Sequence, residues 1–69
     1  MNGFNHRIDE VPEIGRKVEV ILKTGETGLE ATVVPSTDVT FQGIGAEVGY
    51  DIEGDILSSS KISWWRYIA

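Results

Sequence analysis

The chain has 69 residues, no cysteine and a formal net charge of −5, from eleven acids against six bases. That length holds one small domain, which buries only about 60% of the surface its unfolded chain exposes. The lack of cysteine excludes a disulfide framework or a cysteine metal knuckle, and the acidic balance argues against a nucleic-acid binder, whose footprint is basic.

Residues 1 to 14 show no clear period and contain Pro12, so they read as an N-terminal arm pinned through Phe4, Ile8 and Ile14. The arm lacks the apolar stretch of a signal peptide, and no run in the chain approaches the roughly 20 apolar residues of a membrane span. A cytoplasmic protein without membrane contact is expected. The remaining residues, 15–69, read as a single β domain. Val18, Val20 and Leu22 alternate with Lys17, Glu19 and Lys23, the period of a half-buried strand. A Gly-punctuated turn, Thr24 to Gly28, leads to a second strand over Leu29–Val34, which Pro35 ends because proline cannot donate to a ladder.

After a turn at Ser36–Asp38, a short strand is expected over Val39–Gln42, then a break at Gly43–Gly45. From Ala46 to Glu53 the alternation returns, with Val48, Tyr50 and Ile52 opposite Glu47, Asp51 and Glu53. Glu53-Gly54-Asp55 reads as a tight turn, Ile56 and Leu57 begin a short element, and Ser58 to Ser60 loosen it. Lys61–Ile68, rich in Ile, Trp and Tyr, is the last strand. Short strands at this spacing predict an all-β fold, a small SH3-like barrel of about five short antiparallel strands.

Two resemblances bear on this. Gly15, Val18, Val20-Ile21, Gly25 and Gly28-Leu29-Glu30-Ala31-Thr32-Val33-Val34 resemble the KOW motif, a β-hairpin of SH3-like barrels in ribosomal and transcription proteins. Here Ala31 stands where that family usually has glycine. The resemblance implies the SH3-like hairpin and, as one reading of function, an RNA- or ribosome-associated module. Pro12-Glu13-Ile14-Gly15, Val18 and Val20 near the start, with Ile62-Ser63-Trp64-Trp65-Arg66 at the end, resemble a family of small phage and prophage proteins. Those proteins open on a Pro-x-x-Gly-x-x-Val-x-Val strand and close on a tryptophan motif. This resemblance implies a phage-type origin and no assigned chemistry.

Little in the chain suggests catalysis. His6 is the sole histidine and stands in the arm, with no cysteine to pair with and no nucleophile motif around the serines. A zinc site would need at least three carboxylate or water ligands. The cluster Asp51, Glu53 and Asp55 lacks the ligand spacing of a calcium loop. The glycines are spaced for turns and form no phosphate loop. No catalytic residue, cofactor or metal is therefore expected.

What remains is binding. Between Thr24 and Ser60 there is no Lys or Arg, while Glu26, Glu30, Asp38, Glu47, Asp51, Glu53 and Asp55 all fall there. In an unbroken strand Glu47, Asp51 and Glu53 share a face, with neighbours two apart separated by about 6.7 Å. Like charges in a row repel, and such a stripe could meet a basic groove as a nucleic-acid mimic would; a merely acidic soluble surface is the plainer alternative. The second candidate is the tryptophan pair, since adjacent strand residues face opposite ways. Trp64 shares parity with Ile62 and Ile68, which places it in the core. Trp65 then turns outward with Tyr67, to be covered by the arm or to anchor a partner. The candidate partner-binding residues are thus Glu47, Asp51, Glu53, Asp55, Trp65 and Tyr67. The expected partner is a protein with a basic surface, bound without direct nucleic-acid contact. The alternative is a structural module that self-associates as a homo-oligomer.

Overall fold

The computed structural model describes residues 3–68. Six antiparallel strands form one sheet: β1 (Asn5–His6), β2 (Lys17–Leu22), β3 (Leu29–Pro35), β4 (Val48–Ile52), β5 (Asp55–Ser58) and β6 (Ile62–Tyr67). Their order across the sheet is β1-β6-β2-β3-β4-β5. Consecutive strands from β2 to β5 are neighbours. The chain then passes through one 3-10 turn, Ser59–Lys61, which places β6 beside β2. The sheet is all-β and open, with β1 at one edge and β5 at the other. The sixth strand is the short β1, so the N-terminal arm contributes to the sheet, pairing Asn5 with Trp65 and His6 with Trp64.

Alternation delivers the core. Val18, Val20, Ala31, Val33, Val48, Tyr50, Ile62 and Trp65 form one buried cluster, with Val11, Leu22, Leu29, Ile52 and Tyr67 packed against it. The β4–β5 hairpin turns on two residues, since Ile52 pairs with Asp55. Glu53 and Gly54 both have positive φ, 51° and 92°, the type I′ geometry that matches strand twist. Asp51 Oδ1 accepts the Gly54 N–H at 2.9 Å and tightens the turn.

Three expectations are corrected. The first is the face of the tryptophans. Val18, Val20 and Ile21 pair with Tyr67, Trp65 and Trp64, but Leu22 pairs with Ile62. Ser63 is thus one extra residue on β6, a β-bulge, and the side chains beyond it change face. Ile62 and Trp65 therefore both point inward, each fully buried, while Trp64 is half-buried on the outer face.

The second is the strand over Val39–Gln42, which does not form; residues 36–47 are a loop. Asp38 Oδ1 accepts both the Thr40 N–H at 2.9 Å and its hydroxyl at 2.6 Å. The side chain takes the donor a ladder would need. Those bonds, the hydroxyl's first, hold the Asp38 carboxyl below the usual carboxylate range.

The third is the continuous acidic strand. Glu47 lies in a turn before β4 and Glu53 in the turn after it, so only Asp51 of the three occupies the strand. The serine run is also ordered rather than loose: Ser58 Oγ accepts the Ser60 N–H at 3.2 Å and caps the 3-10 turn.

Glutamate is a poor occupant of a left-handed position, where Asn is favoured before Gly. Glu53→Asn is expected to stabilise the fold by about 0.5–1 kcal/mol more than Glu53→Gln, which removes the same charge without the turn preference. Urea melts of the two variants measure the difference; equal midpoints would show that the turn is not strained.

Candidate functional site

The outer face of the sheet carries the charges, and the register decides which meet. Glu19 pairs with Glu30 on one side and with Arg66 on the other. Arg66 takes Glu19: its Nη2 and Nε donate to Glu19 Oε1 at 2.7 and 2.9 Å. The same guanidinium lies over the Phe4 ring, 4.5 Å from its centre. Glu30 is left with Lys17, 3.9 Å away and exposed, a pair worth about 0–1 kcal/mol.

Thr32 bridges to the next group, pairing with Lys17 across β2 and with Asp51 across β4. The β4–β5 turn consequently overhangs the start of β3. Glu30, Asp51 and Glu53 line one shallow depression of about 550 Å³, with Lys17 as its only cation. Two of the expected stripe residues are brought together here, Asp51 and Glu53. Asp55 follows the same turn, exposed at the start of β5. Glu47 does not join them; it stands before β4, where its carbonyl accepts the Ser36 N–H at 3.1 Å. Glu30 was absent from the expected site. Its charge was visible in the sequence, but only the register of β3 on β4 places it beside Asp51.

At the tryptophan end, Trp65 is engaged by the N-terminal arm, one of the two alternatives for it. Trp65 is buried, and its Nε1 donates to Glu10 O at 3.0 Å. Tyr67 meets it edge-on with ring centres 4.9 Å apart. The Tyr67 hydroxyl accepts the Glu13 N–H at 2.9 Å, and the Arg16 guanidinium covers its ring at 4.0 Å. Both residues hold the segment before β2 against the sheet, and Pro12 within that segment is buried. The aromatic on the outer face is Trp64, edge-on to His6 at 4.9 Å. His6 Nδ1 accepts the Ile8 N–H at 3.3 Å, which fixes the imidazole in the turn after β1.

Comparison with known proteins gives no relative. The chain matches no protein-family model, and no significant match is found among curated proteins or solved structures. The reading of the site therefore rests on its own residues.

Loop 36–47 was not foreseen as a feature. Arg7 fastens it: Nη1 donates to Ile44 O at 3.3 Å, and the guanidinium lies 5.6 Å from the centre of the Phe41 ring. Val39, 87% exposed, and Ile44 stand out from the loop into solvent. Gly45, at φ +84°, lets the backbone pass over Ser59, since a Cβ there would come within 2.8 Å of Ser59 Oγ. Among the described residues, no group of three or more His, Asp or Glu side chains is placed to hold a metal ion. No described helix is long and apolar enough to cross a membrane.

Proposed function

We propose that the protein is a non-catalytic binding module, a phage-type accessory protein of the host cytoplasm. It docks its acidic hairpin end on a basic protein surface that otherwise holds nucleic acid. The observation that carries this reading is the depression lined by Glu30, Asp51 and Glu53, with one exposed lysine for three carboxylates. Concentrating like charge costs stability, and a complementary surface recovers that cost on binding while steering association. Asp51 and Glu53 stand on a tightly hydrogen-bonded hairpin and Glu30 on the neighbouring strand β3, so the backbone that presents them has little left to order. An SH3-like relation is supported by the β2-to-β5 meander and the 3-10 turn that returns β6 beside β2. The acidic end counts against the RNA- or ribosome-binding alternative.

The test is capture from a bacterial lysate on the immobilised protein. Nucleic-acid-binding proteins should be retained at low salt, displaced by free duplex DNA, and lost as the screening length falls from about 10 Å at 0.1 M salt to about 3 Å at 1 M. The triple variant Glu30→Gln, Asp51→Asn, Glu53→Gln should retain none of them and keep its fold, since the asparagine amide still offers an oxygen to the Gly54 N–H. Retention that ignores both DNA and salt, or survives the triple change, would sink the proposal. The free protein itself should not shift RNA or duplex DNA in a gel at physiological salt.

A further inference from the structure

The open edge of the sheet offers a second, separate surface. Among the described residues, β5 has β4 on one side and no strand on the other. Ile52 and Asp55 flank a two-residue turn, so that pair exchanges hydrogen bonds, and the next pair, Asp51 with Ile56, does not. The N–H and C=O of Ile56 therefore point away from β4, toward the empty side. The Ile56 side chain is 42% exposed beside them.

Where the sheet fails to close, a groove of about 530 Å³ runs between Leu57 of β5 and Leu22 at the end of β2. Lys23, Thr24, Ser60 and Lys61 complete its walls. The two lysines are tied together through the backbone, Lys23 N–H donating to Lys61 O at 3.0 Å. Arg16, Lys17 and Arg66 have carboxylate partners, and Arg7 is engaged by loop 36–47. Lys23 and Lys61 join no ion pair among the described residues. In a protein of net charge −5, the two unpaired ammonium groups flank the same apolar groove.

We infer that the β5 edge and the Leu22–Leu57 groove together take an extended peptide segment carrying an apolar side chain and, two residues away on the same face, a carboxylate. The peptide pairs its backbone with Ile56 as a seventh strand, a recurrent mode of peptide capture. Its apolar side chain enters between Leu22 and Leu57, and its carboxylate meets Lys23 and Lys61. A second copy of this chain is a poorer occupant. Edge-to-edge pairing of a four-residue strand covers far less than the roughly 1,200 Å² of a stable interface, and it brings two chains of the same net charge together. The groove shares no lining residue with the acidic depression, and the inference does not depend on that site.

The probe is a short capped peptide, acetyl-Thr-Val-Thr-Glu-Thr-amide, titrated into the isotope-labelled protein and followed by amide NMR shifts. Saturable shifts are expected at Leu22 to Thr24 and at Ile56 to Lys61. The same peptide with Gln for Glu should bind about tenfold more weakly, and the Lys23→Gln, Lys61→Gln protein should no longer distinguish the two peptides. Ile56→Pro removes only an outward N–H and should weaken binding by a similar factor while leaving the melting temperature close to the parent's. If that variant does not fold, a peptide N-methylated at its threonines, whose N–H groups face β5 when the valine faces the groove, makes the same test on the parent protein. No saturable shift, shifts centred elsewhere, equal binding of the Glu and Gln peptides, or indifference to the blocked backbone would each overturn the inference. So would sedimentation of the free protein as a dimer that buries β5.

Discussion

Trp65→Ala is expected to unfold the domain at room temperature, while Trp64→Ala should leave it folded. Trp65 is fully buried in the cluster with Val18, Val20 and Ile62, and it pairs with both Val20 and Asn5. Deleting a buried indole costs about 3–5 kcal/mol. Total stability for domains is about 5–15 kcal/mol, and a chain this small belongs at the low end. The loss is compounded at Glu10, whose carbonyl gives up the Nε1–H bond. Trp64 stands half-buried on the outer face against His6, so its truncation should cost under about 2 kcal/mol. Trp65→Phe separates packing from the hydrogen bond. It keeps an aromatic ring in the core, frees Glu10, and should speed amide exchange at Glu13, whose N–H is held by Tyr67 in the same arm contact. Urea melts followed by circular dichroism rank the variants. A larger loss from Trp64→Ala than from Trp65→Ala would mean that the bulge at Ser63 is not present in solution.

That contrast also shows what the sequence could and could not convey. Five of the six strands announce themselves through alternation or a turn, because the residues that must face the core repeat every second position. Val18, Val20, Val33, Val48 and Tyr50 all lie inside as their parity requires. Parity fails at β6 because one unpaired residue, Ser63, reverses it, and a bulge leaves no mark in a run such as Ile-Ser-Trp-Trp. The short β1 could not be read because two residues have no period. Val39–Gln42 carried strand-like residues, but Asp38 captured Thr40 locally before any ladder could form. At the acidic end, composition supplied the charges and hairpin chemistry supplied the turn. The meeting of Glu30 with Asp51 and Glu53 depended on a cross-strand register between β3 and β4, which neither element specifies by itself. The groove at β5 was invisible for a related reason, since it exists only where the curved sheet stops short of closing.

Alkaline pH should weaken the fold through Tyr50, and Tyr50→Phe should abolish that part of the loss. Tyr50 is 1% exposed on the inner face of β4, between Val33 and Leu57. Burial pushes its hydroxyl from the ordinary 10.0 up to about 12, against smaller opposing pulls from Ser59 and Arg7. Ser59 Oγ and Arg7 Nε are buried without a hydrogen-bond partner among the described residues, and the pulls of Ser59 and Arg7 offset only part of the cost of burying the charge. The sign follows from proton binding. Above pH 10 the unfolded chain releases this proton and the folded chain keeps it, so stability falls as pH rises. The contribution is intact below about pH 10, declines between 10 and 12, and is spent once the folded group also ionises. A two-unit shift converts to at most about 2.7 kcal/mol. Parent and Tyr50→Phe differ by this hydroxyl alone, so the difference between them isolates its ionisation. Urea midpoints measured from pH 8 to pH 12 should converge with those of the variant at the low end and separate above pH 10, with the parent the less stable. Parallel curves would show that water reaches Tyr50 in the folded state.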